Sequence, residues 1–113
     1  MLSDYISDLK QSIAAFDLQQ VFSDAIAGNG YDARALHAFA FNLCYLLDAE
    51  YQSSSDHTRI CSILSRLNQY PPILLPELKH LLYTLHRIRQ YILKLDHASS
   101  NDTLDSICKH MYV

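Results

Sequence analysis

Ala33–Tyr51, ARALHAFAFNLCYLLDAEY, is the most apolar continuous stretch of the chain and decides its fold class. Fourteen of its nineteen residues are Ala, Leu, Phe, Cys or Tyr, and no charge falls between Ala35 and Leu47. Leu36, Phe39, Leu43, Leu46 and Glu50 follow a helical spacing, with Ala40, Phe41, Cys44 and Leu47 on the flanks. A helix apolar around most of its circumference is enclosed by other helices or by lipid. The uncharged run is thirteen residues, whereas a membrane span needs about 20. The stretch therefore reads as the central core helix of a small bundle.

On its N-terminal side, Ile6, Leu9, Ile13 and Phe16 make one apolar seam, with Ser3 as the expected N-cap. At Asp17 the phase slips to Leu18, Val21, Phe22, Ala25 and Ile26. Asp17 with Gln20 has the form of a capping box, so a second helix begins there or one long helix bends. Gly28-Asn29-Gly30 stops the segment, because Gly and Asn tolerate the left-handed conformation of a helix C-cap. Asp32 then caps the central helix.

On its C-terminal side, Gln52–Asp56 is a short polar loop. Asp56 is the expected cap of a helix from His57 to about Gln69, with Ile60, Ile63, Leu64 and Leu67 inward. Pro71-Pro72 prevents continuation, Ile73-Leu74-Leu75 reads as an extended connector, and Pro76 suits a first helical turn. From Glu77 to His97, the residues Leu78, Leu81, Leu85, Ile88, Ile92 and Leu95 alternate spacings of 3 and 4, a bundle seam. Ser99–Asp102 breaks that helix. A short last one carries Leu104, Ile107 and Met111. The expected architecture is a single all-α domain over residues 1–113, a compact bundle of five or six helices around residues 33–51. A chain of 113 residues can bury enough surface to fold without disulfide or metal.

The net charge of −3 argues against general affinity for nucleic acid or anionic membrane. The charges are unevenly divided. Residues 1–56 hold eight acids against Lys10 and Arg34, and residues 57–113 hold seven bases against four acids, so the halves carry −6 and +3. Such asymmetry suits complementary packing within a fold, between two copies or onto a partner. Three cysteines, two of them at apolar helical positions, read as reduced thiols. The opening MLSDYISDLK has acids where a secretory signal has bases, so the expected location is cytoplasmic.

Few residues suggest chemistry. Lys79, His80, His86, Arg87 and Lys94 take adjacent heptad positions beside the leucine seam, with Tyr83 further round. They are the candidate docking stripe for a protein partner of acidic or mixed surface, since Arg and Tyr anchor interfaces. The helix 57–69 projects Thr58, Arg59, Ser62, Ser65, Arg66 and Gln69 in the manner of a DNA-recognition helix, but a Ser-rich loop precedes it where a tight turn belongs. His57 and Cys61, spaced i, i+4, supply two ligand positions on one face. A zinc site needs three or four, and no CxxC or HExxH pairing supplies the rest. Cys108 and His110 point in different directions. His37 is expected to be buried and hydrogen-bonded near Asn42. There is no GxSxG, no P-loop and no glycine-rich phosphate cradle, so no cofactor, metal or catalytic set is expected. The reading is a non-enzymatic interaction module, such as an adaptor, a secretion chaperone or an inhibitor of immunity type. A homodimer is expected from the apolar surplus, and a helical DNA-binding regulator is the alternative.

Overall fold

The computed structural model describes residues 2–51, 54–69 and 72–93. Most of those residues are helical, and no strand is found among them. The elements are α1 (Leu2–Ala15), α2 (Leu18–Ile26), α3 (Ala33–Leu46) continued by a π turn (Leu47–Tyr51), α4 (Ser54–Leu67) and α5 (Leu75–Leu93). Counted as rods, with α1 and α2 the limbs of one interrupted helix, the described residues hold four. The last helix expected around Leu104, Ile107 and Met111 lies outside the described residues, as does the stretch 94–97 of the long helix. No helix among the described residues is long and apolar enough to cross a membrane.

The interruption at Phe16-Asp17 is where the apolar phase slips. Asp17 caps α2 by accepting from the Gln20 N–H at 2.9 Å. The reciprocal half of a capping box does not form, because the Gln20 amide turns forward to Asp24 Oδ1 at 2.8 Å. The carbonyls freed at the end of α1 are met from the other end of the chain. Arg89 Nη1 donates to Ile13 O at 3.2 Å and to Phe16 O at 2.6 Å. Its guanidinium also lies 5.5 Å from the centroid of the Phe39 ring, which stacks on Phe16.

α2 ends as the glycine pair implies. The Gly28 N–H donates to Ala25 O and the Asn29 N–H to Asp24 O, the paired reverse bonds of a Schellman motif. Gly28 and Gly30 hold φ of 76° and 77°. A Cβ at Gly28 meets nothing within 4 Å, so a side chain there costs conformation, not space. Gly28→Ala is expected to lower stability by about 1–2 kcal/mol, the cost of an L-residue in the left-handed region. A urea midpoint unchanged from wild type would contradict it. Asp32 then caps α3, accepting from the Ala35 N–H at 3.0 Å.

Further along, local signals were displaced by a turn. α1 starts at Leu2 and α4 at Ser54, so Ser3 and Asp56 lie inside first turns and are not N-caps. Connector residue Ile73 is half-buried and Leu74 is 73% exposed, while Leu75 already belongs to α5.

The apolar seams meet in one core, with Ile13, Phe22, Leu36, Leu43, Ile60 and Leu82 among its fully enclosed members. α3 packs against α1, α4 and α5, but α5 packs against α1, α2, α3 and α4. The interior is thus organised around two helices, and the expectation of a single central helix is corrected. α3 is also not enclosed all round, since Ala38 and Phe41 are exposed and His37, Cys44 and Tyr45 half-buried. Among the described residues the large apolar side chains left exposed are Tyr5, Ile26, Phe41, Leu74 and Tyr91, at most one per helix, so there the surplus that pointed to a dimer is smaller than the sequence suggests.

Candidate functional site

The central place of α5 re-sorts the docking stripe. Consecutive residues on a helix point about 100° apart, so Lys79 and His86 do not share a direction with His80 and Arg87. Burial on α5 runs from Leu81 and Ile88 through Leu78, Leu85 and Arg89 to Lys79 and His86. Lys79 is 3% and His86 1% exposed. They are interior residues, and their place in a surface stripe is corrected. His80 and Arg87 are exposed and Tyr83 is half-buried. Lys94 lies outside the described residues.

The exposed remainder forms one wall of an open groove of about 960 Å³ between α4 and α5. Arg59, Ser62, Ile63 and Arg66 come from α4, and Glu77, His80, Tyr83, Thr84, Arg87 and Tyr91 from α5. Its floor is fixed by a fork: Arg66 Nε donates to Glu77 Oε2 at 2.6 Å and Arg66 Nη2 to Glu77 Oε1 at 2.9 Å. Parallel bonds of this kind hold both planes in register, and they join the end of α4 to the first turn of α5. Beside them is the half-buried Tyr31 phenol, which burial pushes above its usual pKa, with Arg66 opposing and Glu77 adding to the shift. Arg59 lies 3.4 Å from Asp56 one turn earlier on α4. Higher in the groove, Arg87 Nη1 donates to the Tyr83 hydroxyl at 3.1 Å, its guanidinium 5.7 Å from that ring's centroid.

Both carboxylates of the groove are therefore matched by an arginine from α4, and Arg87 is engaged with a phenol. The groove combines a residual positive charge with tyrosine and aliphatic surface. Arg59 and Arg66, which a DNA-recognition helix would present to base edges, turn towards Asp56 and Glu77 here.

A second cluster sits on the other flank of α4. Cys44 of α3 joins His57 and Cys61 of α4, with one donor atom from each within 4.8 Å of the others. His57 Nδ1 is 3.7 Å from Cys61 Sγ, and its Nε2 is 3.1 Å from Asp48 Oδ1 of the π turn. Burial pushes the Cys44 thiol up to about 11, with the charges of Cys61 and Asp48 adding to the shift. It is thus no thiolate nucleophile at neutral pH. Sequence spacing found His57 and Cys61 but not Cys44, whose approach depends on how α3 and α4 pack. The i, i+4 pair on one face was the available signal. His37 is hydrogen-bonded, its Nε2 3.2 Å from Asn68 Nδ2 across from α3, but it is half-buried and not enclosed.

In comparisons with protein-family models, curated proteins and solved structures, nothing matches this chain.

Proposed function

We propose that the protein is a non-enzymatic interaction module whose α4–α5 groove receives an acidic segment of a protein partner. The observation that carries this reading is the composition of the groove. His80, Tyr83, Arg87 and Tyr91 face it from one helix, while its own carboxylates are already matched by Arg59 and Arg66. Arg and Tyr are the residue types that dominate binding energy at interfaces, where a rigid ring and a planar fork lose little entropy on contact. A Glu or Asp arriving beside Arg87 gains a charge-assisted hydrogen bond, and an aromatic or aliphatic neighbour covers Tyr91, which is 51% exposed. An adaptor, a chaperone or an inhibitor could each work through such a contact.

The test titrates the chain with a peptide of alternating Glu and Phe and with its Lys-Phe counterpart, following the Tyr83 and Tyr91 ring signals by NMR. The acidic peptide is expected to shift them, and Arg87→Glu to weaken its binding by roughly 30-fold, about 2 kcal/mol. Gln19→Glu, an exposed α2 position, is expected to leave binding unchanged. Equal response to both peptides, or binding indifferent to Arg87→Glu, would sink the proposal. Self-association at micromolar concentration that Arg87→Glu abolishes would assign the groove to a second copy instead. Salt-sensitive binding of duplex DNA lost with Arg59→Glu would restore the regulator reading.

A further inference from the structure

On the flank of α4 opposite the groove, His57 and Cys61 meet Cys44 of α3 and Asp48 of the π turn, none of which the docking reading uses. The geometry points to a zinc site in which Cys44, His57 and Cys61 are the ligands, joining α3 to α4, with Asp48 holding the far side of the His57 ring.

The donor set fits the ion. Zn2+ takes thiolate sulfur at about 2.3 Å and imidazole nitrogen at about 2.0–2.1 Å in tetrahedral array, which puts neighbouring ligand atoms roughly 3.5–3.8 Å apart. The Cys61 Sγ to His57 Nδ1 separation of 3.7 Å is within that range, and all three donors lie within 4.8 Å of one another. Rotation of side chains covers the remainder.

The carboxylate is the second, independent sign. A metal-binding histidine uses one ring nitrogen for the metal and gives the N–H of the other to a carboxylate or carbonyl, which fixes the tautomer. Here Nδ1 is on the sulfur side and Nε2 is 3.1 Å from Asp48 Oδ1. Asp48 lies in the π turn Leu47–Tyr51. π turns of this kind recur at functional sites. The high thiol pKa of Cys44 is no obstacle, since a coordinated thiol loses its proton to the field of the cation. Three protein ligands leave the fourth position to solvent on the exposed side of Cys61.

An Asp–His–Cys order with these contacts also resembles a nucleophile with its base and orienting acid. Two observations separate the readings. A second sulfur stands beside the first, which a nucleophile does not need. The groove that would hold a substrate is lined by Arg59, Ser62 and Arg66, not by Cys61.

The experiment adds Zn2+, and Co2+ as its coloured substitute, to the reduced, metal-free full chain. Expected are one ion per chain, tetrahedral ligand-field bands with sulfur-to-cobalt charge transfer, and a rise of several degrees in Tm with Zn2+. Cys44→Ser, Cys61→Ser and His57→Ala should each abolish the charge-transfer spectrum or weaken binding at least 100-fold. Cys108→Ser should leave it intact. Asp48→Asn should weaken Zn2+ binding about 10–100-fold at unchanged stoichiometry. Helical circular dichroism of each variant guards against simple unfolding. Absence of one-to-one binding, or binding indifferent to Cys44→Ser, overturns the site. So does a mass two hydrogens lower in the chain as isolated that mild reductant fails to restore, with Cys44 and Cys61 both protected from alkylation, which makes the pair a stable disulfide. Rapid alkylation of Cys61 at neutral pH in a chain that ignores Zn2+ would make it a nucleophile and overturn the site equally.

Discussion

Arg89→Ala is expected to remove about 3–5 kcal/mol of stability, a large share of the margin of an ordinary domain. The side chain is 5% exposed and its guanidinium donates to two carbonyls at the end of α1, Ile13 O and Phe16 O. Helix termini leave carbonyls without intrahelical partners, and a buried acceptor deprived of its donor costs roughly 1–3 kcal/mol. Lost with it are the contact over Phe39 and the apolar stem. Burial pulls the Arg89 pKa below its ordinary value, with Asp17 opposing the shift. The group nevertheless remains protonated across the neutral range, so the loss should be the same at pH 6 and pH 8.

Two companions sort the causes. Arg89→Met keeps the stem and removes the donors, and is expected to recover only a small part of the loss. Arg89→Lys keeps the charge, but a shorter side chain must bring its ammonium to the point from which Nη1 donates to both carbonyls; an intermediate loss is expected. Urea midpoints for the three variants measure this. Less than about 1 kcal/mol lost in Arg89→Ala would mean that water replaces the guanidinium at the break between α1 and α2.

The second large effect separates two residues of α3 that the sequence puts side by side. Leu43 is 0% exposed and Phe41 is 56% exposed. Leu43→Ala is expected to cost about 3–5 kcal/mol, the transfer term plus the cavity left between packed helices. Phe41→Ala, a larger deletion on the open side, should change stability by about 0.5 kcal/mol or less. Thermal and urea unfolding of both variants provide the comparison. A loss above 2 kcal/mol for Phe41→Ala would show that its ring is covered in solution, by a second copy or by another part of the chain.

Much of the chain could be read from short-range signals. Asp17, Asp32 and the Gly28–Gly30 turn act on partners within five residues, so composition and spacing contain the whole interaction. The seams of α1, α2, α4 and α5 follow from the period of the helix. Gln20 was misread because the Asp17 backbone N–H, a donor, and the Asp24 carboxylate, an acceptor, compete for one side chain at the same short range. Asp56 was misread as a cap because helix starts can move by a turn when polar residues follow one another.

The candidate sites were less legible. Lys79 and His86 read as surface residues because a leucine seam predicts one buried face, whereas a helix that touches four others buries nearly half its circumference. Cys44 and Cys61 gave no spacing motif because the distance between them is set across two packed helices. Arg89 carries no local signal of its role. Its partners are more than seventy positions away, and no local pattern records them.

The sequence by itself determined an all-helical chain, the break at Asp17, the stop at Gly28 and the identity of most core residues. These depend on backbone periodicity and on contacts within a turn or two. The tertiary structure decided which polar residues go inside, which cations meet carboxylates, and that two thiols and an imidazole converge. Those depend on which helix lies against which, and packing of that kind sums many weak contacts between segments whose order in the chain does not encode their neighbours.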